Sequence, residues 1–268
     1  MTPTPGIDPA ASVHSSAVVE PGAVIGPGAR VGPFCLVGGQ VRLGAGVELK
    51  SHVVVTGCTT VGEGTAIFPF ATIGGVPQDL KYRGEPTELV IGARNRIREH
   101  VTMNTGTEGG GGVTRVGDDG LFMAGAHVAH DCQIGNRVIL VNNAALAGHC
   151  AIEDDVIVGG LSGVHQWVRI GRGAIVGAVT MVTADVIPYG LVQGPRGVLD
   201  GLNLVGLKRR GTDKADINAL RDLYAVLSEG NFRENARRVA GENPASPLVE
   251  EVLDFILGPS DRSFLSPR

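Results

Sequence analysis

The chain is 268 residues long, 43% hydrophobic but only 4% aromatic, with a formal net charge of −4. That balance argues against a nucleic-acid partner, which needs Lys and Arg to neutralise many phosphates, and no apolar run approaches the about 18 residues of a membrane helix. The opening MTPTPGIDP has neither the basic nor the apolar region of a secretory signal, so a cytoplasmic protein is expected.

A six-residue beat starts at Ile7 and passes through Val13, Val19, Ile25, Val31, Val37, Leu43, Leu49, Val55, Val61, Ile67 and Ile73, all twelve aliphatic. Small or β-branched residues such as Ala17, Ala23 and Thr65 fall four places after a beat, and Gly clusters between, as at Gly26, Gly28, Gly44 and Gly46. A helical face recurs about every 3.6 residues and an exposed strand alternates by two, so neither explains sixes. Hexapeptides are the pattern of a parallel β-helix: the aliphatic residue points inward, the small one fills the space beside it, and Gly permits the corner. Three hexapeptides close a triangular coil, so residues 18 apart stack at about the 4.8 Å spacing of strands. A disordered Gly-rich segment would not hold frame over twelve steps.

The beat lapses where GGVPQDLKYRGEPTELV intervenes and resumes in frame at Ile91, Ile97 and Met103. After TGTEGGGGVTR it returns one residue out of frame at Val116 and continues through Phe122, Val128, Ile134, Leu140, Leu146, Ile152, Val158, Val164, Ile170, Val176 and Val182. The expectation is a β-helix over 1–187 with two external loops, at about 74–90 and 104–115, and such loops are where binding groups tend to sit. Cys132 and Cys150, 18 apart, stack within disulfide reach, but both take small inward positions, so buried reduced thiols are expected.

From Pro188 a connector, PYGLVQGPRGVLDGLNLVGLKRRG, leads into a small helical C-terminal domain, 188–268. Thr212 or Asp213 caps a helix with Ile217, Leu220, Leu223, Tyr224 and Leu227 on one face. Asn231 caps a second near Phe232 to Ala240, and a third follows Pro247 with Leu248, Val252, Phe255 and Ile256.

The chemistry concentrates late in the repeats. His127, His130 and His149 fall within 23 residues, His165 follows, and Asp131 lies 18 before His149. Stacking by 18 also sets Gly148 beneath His130 and Gln166 one coil further, so one corner gathers His130, Asp131, His149 and Gln166 with His127 and His165 nearby. A three-His metal site is one reading, although β-helical carbonic anhydrases generally space a His pair by about five residues rather than the three of His127 and His130. A general base oriented by a carboxylate is the second and favoured reading. Unrelated surface His at turns is the third, ordinary for one residue but not for four in a patch.

The run HVAHDCQIGNRVILVNNAALAGHCAIEDDVIVGGLSGVHQWVRIG from His127, with PQDLKYRGEPT from Pro77 and GLKRRG from Gly206, closely resembles the acyl-carrier-protein-dependent UDP-N-acetylglucosamine O-acyltransferase family, which opens lipid A biosynthesis. The resemblance covers nearly the whole chain. It implies a left-handed parallel β-helix followed by a small α-helical domain, and transfer of an (R)-3-hydroxyacyl chain from acyl carrier protein to the 3-position of the UDP-sugar. It further implies no cofactor beyond the carrier-bound phosphopantetheine thioester, and a homotrimer with sites in clefts between subunits. An N-acylating relative has an added N-terminal uridine-binding domain, for which repeats starting at residue 7 leave no room.

Residue by residue, the resemblance implies that His130 is the general base, Asp131 its carboxylate and Gly160 the oxyanion amide. His127, His149, His165 and Gln166 match residues lining the sugar and acyl groove, and Gln78, Asp79 and Lys81 match contacts of the first loop. Asn203, Arg209 and Arg210 match groups near the nucleotide and pantetheine phosphate, and Ala178 matches the position that gauges acyl length, its small side chain implying a medium-to-long acyl group. A thioester is reactive enough to need only a base and an amide donor, while Lys208, Arg209 and Arg210 supply cations for phosphate and an acidic carrier.

Two positions depart from the family. Asn104 and Thr105 stand where it often has His-Arg, and Val205 where it commonly has Glu. Loss of a cation near the acceptor would ease binding of a 3-amine, so an amide product on the 3-amino sugar is the alternative to the 3-hydroxyl ester. A non-catalytic scaffold is the alternative from another class, and it has no need of a polar His corner.

Overall fold

The computed structural model describes residues 6–260 and 262–267, so the first five residues of the opening segment read above lie outside it. Most hexapeptides supply a two-residue strand whose second member is the beat residue, as in Val24–Ile25, Arg30–Val31 and Leu36–Val37. Strands pair in parallel with those one coil on, Val24 with Arg42 and Val31 with Leu49. Three sheets of nine, eleven and nine strands form the faces of a left-handed parallel β-helix. In the order the chain visits them, the first face starts at Gly6–Ile7, the second at Ser12–Val13 and the third at Val18–Val19. Beat residues such as Ile25, Leu49, Ile67, Ile97 and Leu140 fill the interior with shelves of Ala23, Ala29, Ala71 and Ala126 between them. Removing each large side chain from water stabilises the coil by about 1.5–3 kcal/mol.

The excursions explain the frame. Val61 pairs with Ile91, 30 residues on rather than 18, an excess of two whole hexapeptides that leaves the beat in register. Ile91 pairs with Val116, 25 residues on, an excess of seven that moves it by one. Both loops leave the prism at the edge between its third and first faces. The strands Thr72–Gly75, Glu88–Ile91, Thr102–Asn104 and Val113–Val116 extend into them, so residues 76–87 and 105–112 alone lie between strands.

Many corners hold a residue at positive φ, where Gly is at ease, yet many of these carry large side chains. Phe34, His52, Phe70 and His100 have φ of 58, 57, 65 and 58° on the second-to-third edge. Their rings lie 5.0, 5.0 and 5.1 Å apart in succession, and this stacking offsets a backbone penalty of about 1–2 kcal/mol each.

The connector holds more regular structure than its sequence suggested. Gly190–Gln193 joins the second face in parallel and Val198–Leu202 then pairs with it antiparallel, ending the open sheet. Helix α1 spans Leu204–Arg209, capped by Asn203. The expected helices follow as α2, Lys214–Leu227, from Asp213; α3, Phe232–Gly241, from Asn231; and α4, Pro247–Leu257. Ile217, Leu220, Leu223 and Leu227 are buried, while Tyr224 is half-buried and donates to the Leu199 carbonyl at 3.0 Å. The C-terminal segment returns to the prism, where buried Asp185 pairs with Arg169 at 2.7 Å and accepts the Leu265 N–H on its carbonyl at 2.9 Å. Cys132 and Cys150 are free thiols donating to the carbonyls of Ala147 and His165 at 3.2 Å. No described helix is long and apolar enough to cross a membrane.

Candidate active site

His130 and Asp131 occupy the third-to-first corner just after the strand His127–Val128. Asp131 sits at φ 60°, which turns its side chain back along the edge. Nδ1 of His130 lies 2.7 Å from Oδ2 of Asp131, the side chains being 6% and 0% exposed. A carboxylate partner makes Nδ1 the donor and leaves Nε2 with the lone pair. The Asp131 carboxylate also accepts the Thr107 N–H at 2.7 Å and hydroxyl at 2.6 Å, while the Asp131 N–H donates to the Thr114 hydroxyl at 2.7 Å. One coil on, Gly148 leaves room for the His130 ring, which a Cβ there would overlap.

Asp131, His149 and Trp167 form a column at intervals of 18, with φ of 60, 63 and 66°. The His149 ring meets His130 edge-on at 5.0 Å and stacks on Trp167 at 3.8 Å with planes 5° apart. Trp167 escaped the sequence reading, although the same spacing applied to His149 points to it. Burial pushes the His149 imidazole below its usual value despite the pull of Asp131. Its Nδ1, 3.6 Å from the carboxylate, is therefore a neutral neighbour near pH 7 rather than an ion-pair partner. Burial, then the nearby His130 charge, lowers His127 likewise. On the first loop, the Lys81 N–H donates to Asp79 at 2.9 Å and chiefly accounts for the lowered Asp79 carboxyl, with the His130 charge adding.

A groove of about 440 Å³ runs from His130 down the third face, lined by Gln78, His127, His130, His165, Gln166 and Met181, among others. Its floor steps along one outward column, His127, Ala145, Gly163 and Met181, paired coil to coil. Nδ1 of His127 is 2.7 Å from the Thr102 hydroxyl, and Nδ1 of His165 accepts from Arg262 at 2.8 Å. A larger crevice of about 950 Å³ lies between the first face and α4. Arg172 and Glu251 engage one another there at 3.0 Å, and the lining includes neither His130 nor Asp131, so size does not select the site.

His130, Asp131 and His149 could also bring three donor atoms to a metal, all within 4.8 Å of one another. The carboxylate oxygens, however, already accept two hydrogen bonds from Thr107 and one from His130, an arrangement that suits an oriented base.

Residues 22–57 match the family pattern described as bacterial transferase hexapeptide (six repeats), and residues 185–265 match UDP N-acetylglucosamine O-acyltransferase, domain 2. A relative from Paracoccus denitrificans, named acyl-[acyl-carrier-protein]–UDP-N-acetylglucosamine O-acyltransferase, is 78% identical over 201 residues, 75% of this chain and 77% of the relative. The chain belongs to the UDP-N-acetylglucosamine O-acyltransferase family. A Rhizobium etli relative of the same name is 53% identical over 229 residues, 85% of this chain and 84% of its own. A solved UDP-N-acetylglucosamine acyltransferase is 41% identical, covering 98% of this chain and 99% of its own with a TM-score of 0.88.

Within one chain of this O-acyltransferase family member, the fold gathers Gln78, His127, His130, Asp131, His149, His165 and Gln166, with Asp79 and Lys81 on the loop beside them. It does not bring Gly160 to His130. Gly160 turns the second-to-third corner, beside Asn142 and Val141, whereas Gly148 is the glycine that lies at the His130 ring. Exposed Ala178 stacks below Gly160 on that other edge. Asn203 is committed to structure: Oδ1 caps α1 through the Gly206 N–H at 2.9 Å and Nδ2 donates to Gly173 at 2.9 Å. Arg209 is exposed at the end of α1, and Arg210 packs over Tyr189, 5.7 Å from its ring. None of these three lines the groove.

The departures are also relocated. Asn104 and Thr105 are buried, tying the loops together through Gly75, Val76 and Thr87 at 3.3, 3.0 and 3.0 Å, and Val205 is exposed on α1. None of the three lines the groove of the single chain, which therefore lends no support to the electrostatic argument for a 3-amino acceptor.

Proposed function

We propose that the chain transfers a 3-hydroxyacyl group from acyl carrier protein to the 3-hydroxyl of UDP-N-acetylglucosamine, the step that opens lipid A synthesis. The observation that carries this reading is the buried His130–Asp131 pair at the head of a groove flanked by two loops. Nε2 of His130 takes the proton of the sugar hydroxyl as its oxygen attacks the thioester carbonyl carbon. Asp131 stabilises the imidazolium, and the Gly148 N–H donates to the oxyanion. Collapse breaks the carbon–sulfur bond, and the pantetheine thiolate leaves with the proton from His130. Both the base and the amide come from the protein, so the reaction needs no metal or other cofactor, and a chelator should leave the rate unchanged.

The assembly belongs to the same proposal. The second-to-third edge exposes Phe34, Phe70, Leu161 and Val179 by 51–66%, an apolar stripe suited to a second copy of the chain. A closed threefold ring of prisms would lay this edge, with Ala178, beside a neighbour's groove. The exposed Lys208 and Arg209 suit the phosphates of a cytoplasmic nucleotide sugar or carrier protein. Ala178→Met should then shorten the acyl chain preferred, and sedimentation should find a trimer; an active monomer would refute the assembly. For the reaction itself, a folded His130→Ala protein should lose about 10²–10⁴-fold in turnover with acyl carrier protein thioester and UDP-N-acetylglucosamine. Near-normal turnover would sink the proposal.

A further inference from the structure

We infer that Thr107, in the Gly-rich loop 105–112, is a positioning residue for the His130–Asp131 base; the inference rests on the base reading above. Buried Thr107 donates to both oxygens of one carboxylate, its N–H to Oδ1 at 2.7 Å and its hydroxyl to Oδ2 at 2.6 Å. Thr114, in the strand after the loop, accepts the N–H of the same Asp131 at 2.7 Å. Gly110, in the one-turn 3-10 segment Glu108–Gly110, presses so close that a Cβ there would overlap the carboxylate. Thr107 and Gly110 of the loop and Thr114 of the strand that follows thus converge on an acid whose remaining close partner is His130.

The chemistry follows from the shared oxygen. Oδ2 of Asp131 receives both the Thr107 hydroxyl and Nδ1–H of His130. Each donor satisfies part of the anion's charge and weakens its pull on the other, so Thr107 moderates how strongly Asp131 favours the imidazolium. Donors from one residue to both oxygens also hold the carboxylate against rotation, and that orientation keeps the proton on Nδ1 and the lone pair on Nε2. The loop segment that lies over Asp131 is thus also the one that orients it. The other titratable groups near His130 are His149 on the next coil, His127 on its own strand, and Asp79 and Lys81 on the first loop.

Thr107→Val keeps the volume and the N–H but removes the hydroxyl donor, whereas Thr107→Ser keeps the donor. The full-length proteins are assayed with acyl carrier protein thioester and UDP-N-acetylglucosamine between about pH 5.5 and 9, with melting temperatures alongside. Thr107→Val should lower kcat about tenfold while both KM values stay within about twofold. The acid limb of its kcat/KM profile should move up by about half a pH unit, since Asp131 with one donor fewer holds the imidazolium more firmly. Thr107→Ser should restore both. Should the Val protein not fold, Thr107→Ala makes the same deletion. Wild-type kcat and pH profile in Thr107→Val beside an inactive His130→Ala overturn this inference and spare the base, whereas an active His130→Ala overturns the base reading itself.

Discussion

The first-to-second edge of the prism stacks Arg94, Asp119, Arg137 and Asp155, and the third-to-first edge stacks Asp131, His149 and Trp167, all except Trp167 ionisable and all at φ between 55 and 66°. On each edge an acid meets a base at hydrogen-bond distance: Arg137 meets Asp155 one coil on at 2.7 Å, and Asp131 meets its chain neighbour His130 at 2.7 Å. The Arg137 and Asp155 side chains are 52% and 22% exposed, whereas His130 and Asp131 are 6% and 0%. Water screens the first ladder, which contributes little beyond solubility and register. On the other edge the loops exclude water from Asp131 and from His130 beside it, so their contact is unscreened. Cover, more than residue type, separates an ornament from a reactive site.

The sharpest way to break this comparison is to remove the charge from one acid on each edge. Asp131→Asn should reduce kcat by about 10²-fold or more, because the amide cannot stabilise an imidazolium. Asp155→Asn should leave kcat alone, and equal effects would erase the distinction. A smaller effect is expected at Gly148, where Ala forces the His130 ring from its seat. A loss of about tenfold or more in kcat with unchanged melting is the expected outcome, and normal kinetics would show that the ring has room to spare.

Acidification separates the edges without mutation. His127 and His149 are held below the ordinary 6.5 by burial. Above that value folded and unfolded chains are both neutral there. As pH falls through 6.5 the unfolded chain takes up protons first, and stability drops until the folded-state values are also passed. Asp119, lowered chiefly by its hydrogen bond from Arg94, contributes stability that persists until pH falls below the ordinary 3.8. Denaturant melts between about pH 7 and 5.5 should therefore lose stability, and His127→Gln with His149→Gln should flatten that slope; an unchanged slope would assign it elsewhere. Arg137→Ala is expected to do least, moving Tm by under about 3 °C with activity intact, and a large drop would mean the exposed ladder is worth more than its screening allows.

Much of this was legible because the repeat converts sequence distance into height. The aliphatic sixes located the strands of the prism as far as Met181–Val182, and stacking by 18 placed Asp131 with His149 and His130 with Gly148. Trp167 obeys the same rule and needed only one more step. Thr107 had no such signal, since the loop that carries it interrupts the repeat and its register is set by contacts with Asp131. Gly160 follows the Val158 beat, five hexapeptides after Val128, so the same stacking sets it on a different corner from His130. Asn203 likewise could serve a ligand or a helix end until its partners, Gly206 and Gly173, were seen.

The sequence by itself determined the prism, its inward side chains, the one-residue frame slip and the meeting of His130 with Asp131. It did so because parallel stacking is periodic and each coil contacts only its neighbours. Only the tertiary structure decided that both excursions fold onto the edge that bears the histidines, and that Thr107 grips Asp131. It alone also showed that Asn104 and Thr105 tie the loops together away from the groove. Those outcomes depend on contacts between segments with no common period, where geometry and burial choose among partners that sequence spacing leaves equivalent.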